Sequence, residues 1–168
     1  MCIRDSALAE SVANQGQGFI NSMAFGNGGT SVDPTGIITY LTPNSTGTNA
    51  SLYNQTYTKV VDDRSVTNLD PQRNKIETRH VNGTNYTDVL VTCLLDYGEP
   101  NGQDAVDQAS QANSLYVFDE LGLVSYSPSG TGKLLTHVVF HPVQKSLNRL
   151  VQIDYTVRVQ SLTGFNEG

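Results

Sequence analysis

The sequence predicts an all-β protein, an antiparallel β-sandwich of about seven strands with a short N-terminal helix. Charged residues make up only 15% of the 168 residues, whereas average domains contain about 25%. Threonine and valine, which favour strands, occur 17 times each. Segments of strand length recur between turn residues, and long helical patterns do not separate them. Such spacing is typical of a sandwich or barrel rather than of a parallel α/β sheet.

The sequence predicts a single domain that follows a short N-terminal leader. Residues 1–6 read MCIRDS and resemble a translated sequencing-adapter remnant, so we expect a non-native leader there. Residues 7–168 are expected to form a single β-sandwich domain, which can bury roughly 69% of its unfolded surface. Because a signal-peptide pattern and a membrane-length apolar run are both missing from the sequence, we expect folding in a cytoplasm, away from the membrane.

The first half of the chain contains four predicted elements. In order, they are a helix at 7–14, a turn at 33–36, a strand at 36–41 and a strand at 51–61. Ser6 is the expected N-cap of the helix, and Gly16 its expected end. In the strand at 51–61, Tyr53, Tyr57 and Val61 share parity and therefore one face.

The clearest hairpin is predicted around Asn82-Gly83, a dipeptide that favours a tight turn. A polar strand at 74–81 precedes this turn, and a strand at 86–97 follows it. Residues 88–95 (DVLVTCLL) are apolar at both parities, so we expect a central strand. Cys93 lies in that run and is expected to act as a small buried hydrophobic residue.

The second half ends in the most regular strand. Before it, we expect a short helix at 103–112, a short strand at 115–118, a turn at 127–132 and a strand at 133–140. Pro142 is expected to stop the last of these. The strand at 149–160 alternates without a break, so we expect it to pair on both sides and to bury its odd-numbered side chains. These are Val151, Ile153, Tyr155, Val157 and Val159.

Charge and motif spacing argue against several functions. A net charge of −6 disfavours nucleic-acid binding, which depends on neutralising phosphates. Residues 129–133 (SGTGK) lack the spacing of a phosphate-binding loop. Asp119 and Glu120 are adjacent and point opposite ways in an extended segment, which is unsuitable for a catalytic carboxylate pair. We therefore expect no enzyme activity and no cofactor.

His137 and His141 are the strongest candidates for metal ligands, because residues four apart share a face of a strand. A site needs at least a third ligand, and no further residue has a spacing that recruits it. We therefore expect no metal, and we expect both histidines to be half-exposed or at a subunit contact. Together with Tyr53 and Tyr57, they are the predicted interface residues.

Two segments resemble a known family. Residues 23–28 (MAFGNG), followed by the 33–36 turn and an aromatic segment, are similar to the start of tailed-phage collar and tail-fibre attachment domains. Residues 118–123 (FDELGL), with the turn and LLTHV that follow, resemble a later hairpin of that family. The resemblance covers about two-thirds of the chain in separate pieces.

The resemblance implies a non-enzymatic structural subunit of a tailed-phage virion, assembled in the host cytoplasm. Its expected place is the tail, the collar or a fibre attachment, in contact with other copies of itself and other virion proteins. It also implies that the two segments lie close together. Gly26, Gly28 and Gly122 would then sit where side chains do not fit, because glycine permits positive φ and close backbone approach.

Two alternatives remain open at this stage. One is a capsid decoration (cement) protein, and the other is a carbohydrate-binding sandwich that recognises a surface glycan on the host. A sugar site needs two or more exposed tyrosines on one concave surface, whereas an assembly subunit spreads apolar contacts over several edges. The polar loops at 42–50 and 62–73 are expected to order only against a partner.

Overall fold

The computed structural model describes residues 3–44, 47, 50–103 and 116–160. Over these ranges it has one helix and nine strands, two of which are only three residues long. They are α1 (Ile3–Val12), β1 (Ile20–Gly26), β2 (Thr30–Val32), β3 (Ile38–Tyr40), β4 (Gln55–Val60), β5 (Lys75–His80), β6 (Tyr86–Leu95), β7 (Val117–Ser125), β8 (Val138–Gln144) and β9 (Val151–Gln160). The predicted all-β class and the short N-terminal helix are confirmed.

Two antiparallel sheets face each other across one core. The larger sheet has the order β4-β1-β7-β8, and the smaller has the order β5-β6-β9. β2 and β3 form a separate hairpin. The core between the sheets is built from side chains of both, as a sandwich requires. Its buried members are Met23, Phe25, Val61, Val91, Cys93, Leu95, Phe118, Leu121 and Leu123.

β1 and β7 are the two inner strands of the larger sheet. Their register places Gly26 opposite Glu120 and Ala24 opposite Gly122. The two segments on which the family resemblance depends, 23–28 and 118–123, are therefore neighbours, and this predicted proximity is confirmed. Both strands are buried on both faces, so they need cover on the side that faces away from β5, β6 and β9.

That cover is a layer of loops, which we call the outer loop layer. It consists of the described part of 41–54, between β3 and β4, and of 133–137, which leads into β8. Leu52 and Leu134 of this layer pack with Ala24 of β1 in a second, smaller apolar cluster. Glu120 of β7 points away from the main core, and the outer loop layer encloses it.

Both strong turn predictions are confirmed. Gly83 has φ +85° in the connection between β5 and β6, and β6 is the central strand of its sheet. Gly36 has φ +88°, and its N–H donates to the carbonyl of Asp33 at 3.0 Å. Cys93 is completely buried, as its apolar surroundings in the sequence predict.

The prediction for the last strand is half right. The alternation of β9 is confirmed, because Val151, Ile153, Tyr155 and Val157 all pack against the core. Pairing on both sides is wrong, since among the described strands β9 pairs only with β6. Its odd-numbered side chains are half-buried, and Val159 is 51% exposed. The last strand of a three-stranded sheet lies at the margin of the core.

The predicted ends of two elements are also corrected. The helix begins at Ile3, so Ser6 lies inside it rather than capping it. Pro142 does not stop β8 but lies within it. The register passes from Phe118–Val143 to Glu120–Val139, so β8 carries extra residues at this point. A bulge in an edge strand tolerates the missing N–H of proline.

Two further expectations concern loops. Residues 62–73 are ordered by contacts within the chain, because the Asn68 amide donates to the carbonyls of Asp62 and Asn74. The expectation that this loop orders only against a partner is therefore wrong. The predicted helix at 103–112 lies almost entirely outside the described residues, and of the predicted strand at 115–118 only the last two residues fall in β7.

Candidate functional site

The most concentrated polar site in the sandwich is the carboxylate of Glu120, which is fully buried. Its Oε1 accepts hydrogen bonds from the backbone N–H groups of Gly28, at 3.1 Å, and Asn54, at 2.8 Å. Its Oε2 accepts from the N–H of Tyr53, at 2.9 Å, and lies 2.8 Å from His137 Nε2. A carboxylate has about four acceptor positions, so Glu120 is saturated.

His137 completes this site from the outer loop layer. Its Nδ1 accepts the backbone N–H of Asn44 at 2.7 Å, so the proton of the neutral ring is on Nε2, which donates to Glu120. The side chains of His137 and Glu120 are both fully enclosed. The prediction that His137 is half-exposed is wrong, because its ring closes the space between β7 and the loops above it.

Asp119, the residue before Glu120 in β7, makes a second anchor. Its Oδ1 accepts from the N–H of Gly29 at 2.8 Å. Its Oδ2 accepts from the N–H of Thr30 at 2.9 Å and from the Thr30 hydroxyl at 2.5 Å. The two adjacent carboxylates bind different groups. Each fixes a different stretch of backbone, and together they attach the start of the β2–β3 hairpin to β7.

Sequence reasoning found these carboxylates but not their role. The signal was available, because Asp119 and Glu120 interrupt an apolar segment that reads as a strand. Charged side chains in such a segment are rarely buried unless they are paired. Their partners could not be read from the sequence, since Gly28 and Gly29 lie 92 and 90 residues away.

The three glycines implied by the resemblance do occupy crowded positions. A Cβ on Gly26 would lie 2.5 Å from both the Asn54 carbonyl and Glu120 Oε1, and one on Gly28 would lie 2.8 Å from Asn54 N. A Cβ on Gly122 would lie 2.3 Å from the Thr136 carbonyl. Close approach is therefore confirmed at all three. None of them is among the glycines with positive φ, so the cause is space alone.

The other predicted interface residues have different surroundings. Tyr53 is exposed, and its hydroxyl donates to the Thr42 carbonyl at 2.5 Å. Tyr57 is half-buried against Phe25, with ring centroids 6.2 Å apart. Burial raises the pKa of Tyr57 to about 12, and the nearby charge of Glu99 adds to the effect. His141 is exposed and lies 3.3 Å from the Tyr40 hydroxyl. The structure brings two of the four together, because the rings of Tyr53 and His137 pack with centroids 5.4 Å apart.

Sequence reasoning missed an exposed apolar surface beside His141, on the β2–β3 hairpin. Val32, Ile38 and Tyr40 share one face, since Val32 pairs with Ile38 and Tyr40 pairs with Thr30. Val32 is 52% and Tyr40 51% exposed, and Ile37 at the end of the turn is 63% exposed. We call Val32, Ile38 and Tyr40 the hairpin surface. The sequence shows that residues 37–41 are mostly apolar, but it does not show that they are exposed.

A group of charged side chains around one surface cavity is paired within the chain. A surface cavity of about 270 Å³ is lined in part by Lys59, Arg73 and Glu99. Lys59 forms an ion pair with Glu99 and donates to the Leu94 carbonyl at 2.7 Å, and Arg73 pairs with Asp70 at 2.5 Å. The charged side chains that line this cavity therefore bind one another.

A metal-binding cluster and a membrane-spanning helix are both absent from the part of the chain that the structure describes. In these ranges, no group of three or more His, Cys, Asp or Glu side chains is placed to hold a metal ion. Across the same ranges, no helix has the length and apolar character needed to cross a membrane.

Comparison of the chain with protein-family models, curated proteins and solved structures finds no match. The chemistry of the site therefore has to be argued from its geometry. Every acceptor position of Glu120 and the free nitrogen of His137 are used by groups of the chain itself. The arrangement holds loops in place, and it offers no open position to a substrate.

Proposed function

We propose that the chain is a non-enzymatic structural subunit of a tailed-phage virion, a tail, collar or fibre-attachment component. In this proposal, the hairpin surface seats it against a neighbouring virion protein. The observation that carries the proposal is the exposure of Val32 and Tyr40 on one face of a hairpin that belongs to neither large sheet. Large contiguous patches of exposed apolar side chains are rare on monomeric proteins, and those that occur mark contact sites.

The way the hairpin is attached supports this role. Asp119 accepts three hydrogen bonds from Gly29 and Thr30, where β2 begins. His141 of β8 lies 3.3 Å from the hydroxyl of Tyr40. The hairpin is therefore fixed at its base and along one strand while its apolar face stays open. A preorganised surface of this kind binds a partner with little loss of conformational entropy.

A structural role also accounts for the buried Glu120–His137 pair. A catalytic acid or base needs a position from which it reaches the proton of a substrate. Here the donors and acceptors of the pair are occupied by backbone groups of Gly28, Tyr53 and Asn44. The virion assignment itself depends on the resemblance of 23–28 and 118–123 to phage attachment domains.

The experiment is an incorporation assay with a tailed phage that encodes this chain. Its gene is deleted and supplied again from a plasmid, and particles are purified on a density gradient. Peptides of the chain are then quantified by mass spectrometry in intact particles, isolated tails and tail-less heads. Recovery with tails at several copies per particle supports the proposal. Recovery with heads alone supports the decoration alternative instead, and absence from all fractions contradicts any virion role.

Two matched variants test the hairpin surface. The double variant Val32→Lys, Tyr40→Lys places two charges on the apolar face, and incorporation is expected to fall at least about tenfold. Thr39→Lys places a charge on the opposite face of the same hairpin, at an exposed position, and is expected to incorporate normally. Equal incorporation of both, with unchanged melting, would exclude the hairpin surface as the contact.

A further inference from the structure

β9 leaves one long side of the smaller sheet unpaired. It has ten residues, and within the described ranges its only partner strand is β6. An open strand of this length presents a row of backbone donors and acceptors that can pair with another chain. Its sequence, VQIDYTVRVQ, contains no lysine and no proline, the residues that most often protect such an edge.

The other outer strands of the two large sheets are protected or short. β8 contains Pro142 and a bulge. β5 has six residues, and three of them are charged, Lys75, Glu77 and Arg79. β4 also has six residues and includes Lys59. Among these described edges, β9 is thus the one best suited to pairing with another strand.

The side chains of β9 are complementary to β9 itself. In an antiparallel pair of two copies with a two-fold axis at Thr156, Asp154 lies opposite Arg158 of the second copy, and the reverse contact forms as well. Gln152 lies opposite Gln160 in the same register. Opposite charges that face each other across strands stabilise a sheet, whereas like charges destabilise it.

Arg158 is placed to make this contact without giving up its own partner. Its Nε and one terminal nitrogen donate to Asp88, at 2.8 and 3.0 Å, and its Cζ lies 3.7 Å from the Tyr86 ring centroid. A guanidinium has five N–H donors, so others remain for Asp154 of a second copy. Asp154 is exposed and accepts hydrogen bonds from the uncharged Gln152 amide.

The apolar face agrees with the same register. Ile153 of one copy lies opposite Val159 of the other, and Tyr155 lies opposite Val157. Val159 is 51% exposed in the single chain, and this pairing covers it. Both faces of the strand therefore favour the same alignment, which a random partner strand would not provide.

We propose that two copies of the chain pair through β9 to form a continuous six-stranded sheet across a two-fold axis. The inference rests on the proposed function only in taking the partner to be another copy of this chain. It adds the surface, the register and the residues of the contact. The symmetry makes the contact isologous, so each charged pair occurs twice.

A charge-exchange experiment tests the register. The dissociation constant of the full-length chain is measured by sedimentation equilibrium, for the wild type, Asp154→Lys and Arg158→Glu. Each variant alone places like charges opposite each other twice, and we expect its dimer to be at least about tenfold weaker. An equimolar mixture restores both pairs, Lys with Glu and Arg with Asp, and is expected to dimerise as tightly as the wild type. Thermal melts check that each variant is folded.

Arg158→Glu also places a negative charge beside Asp88 of its own chain. If this variant does not fold, a disulfide experiment tests the same register. In a Cys2→Ser background, Thr156→Cys places one thiol opposite its own copy, within the Cβ separation of a cross-strand pair. Mild oxidation is expected to produce a covalent dimer. Gln152→Cys is the control, because it lies opposite Gln160 and is expected to stay monomeric. Equal cross-linking of both variants, or of neither, would overturn the register.

The outcomes separate this inference from the proposed function. If the wild type self-associates and neither charge variant changes its dissociation constant, the β9 contact is wrong and the virion role is unaffected. If the wild type is a monomer at its highest soluble concentration, pairing through β9 is also wrong. The incorporation assay decides the virion role in either case, because it measures presence in particles and not dimerisation.

Discussion

Glu120 Oε2 lies 2.8 Å from His137 Nε2, and both side chains are fully enclosed. This contact joins the centre of β7 to the segment that leads into β8. The same carboxylate binds the backbone of Tyr53 and Asn54 in the outer loop layer. The Glu120 side chain thus attaches both segments of the outer loop layer, 41–54 and 133–137, to the larger sheet. The stability of this layer is expected to depend on that single charge.

Replacing Glu120 by glutamine tests this dependence. The amide group of Glu120→Gln puts a donor where backbone N–H groups already donate, so at least one buried donor loses its acceptor. We expect the free energy of unfolding to fall by about 3 kcal/mol, the upper range for a hydrogen bond to a charged group. Urea unfolding measures it. Glu77→Gln on β5, where the carboxylate is exposed, is the control and is expected to change stability by less than about 0.5 kcal/mol.

A double-mutant cycle with His137→Leu tests whether the pair acts as a unit. Glu120→Gln removes the carboxylate that His137 binds, and His137→Leu removes the ring nitrogen that binds it. The double variant shows how far these two losses overlap. We expect a coupling energy of about 1–3 kcal/mol between the two positions, as found for residues in direct contact. Additive effects of the two substitutions would mean that the histidine and the carboxylate stabilise the fold independently.

Gly122 tests the close packing of β7 beneath the outer loop layer. A Cβ there would lie 2.3 Å from the Thr136 carbonyl and 2.5 Å from Leu134 Cδ1. Gly122→Val is therefore expected to destabilise the protein by about 1–3 kcal/mol. Gly98→Val is the matched control, since a Cβ on Gly98 meets no atom within 4 Å. Similar melting temperatures for the two variants would contradict the packing described here.

Local patterns explain which parts of the fold were predictable. Asn82-Gly83 predicted the turn of the β5–β6 hairpin because only a few residue types adopt positive φ there. Alternation predicted which face of β9 is apolar, since the side-chain period of a strand is two. Alternation carries no information about how many strands pair with β9. The prediction that β9 pairs on both sides was therefore wrong.

The Glu120–His137 pair was not predictable because its chemistry depends on long-range contacts. His137 was expected at the surface from its spacing to His141, a local relationship. Its actual environment is set by Asn44, 93 residues away, and by Glu120. Short-range pattern analysis cannot show such contacts. It could show only that Asp119 and Glu120 are unusual in an apolar strand.

Metal is expected to have no effect on stability. A metal that binds only the folded state at 100 times its dissociation constant adds about 2.7 kcal/mol, which would raise the melting temperature by several degrees. We expect differential scanning calorimetry to give the same melting temperature with a chelator and with added zinc. A zinc-dependent increase that disappears in His141→Ala would revive the metal site weighed from the spacing of His137 and His141.

Tyr57 is expected to make the protein less stable in alkali. Burial, with the nearby charge of Glu99, raises its pKa from 10.0 to about 12. The unfolded chain therefore releases the phenol proton at a lower pH than the folded chain does. The contribution of Tyr57 is fully present below pH 10 and is lost as the pH rises towards 12. Urea unfolding of Tyr57→Phe is expected to show a shallower decrease over this range than the wild type. Parallel curves for the two proteins would contradict the shift.

Cys93 is expected to be unreactive in the folded protein. Its side chain is inaccessible, and burial raises the pKa of the thiol to about 12, so the nucleophilic thiolate is almost absent at pH 8. In a Cys2→Ser variant, we expect an aromatic disulfide reagent to label no thiol in buffer and one thiol per chain in urea. Cys2→Ser with Cys93→Ala controls for background. Labelling in buffer that is faster than global unfolding would show that β6 opens locally, and the core between the sheets would then be less cooperative than its packing indicates.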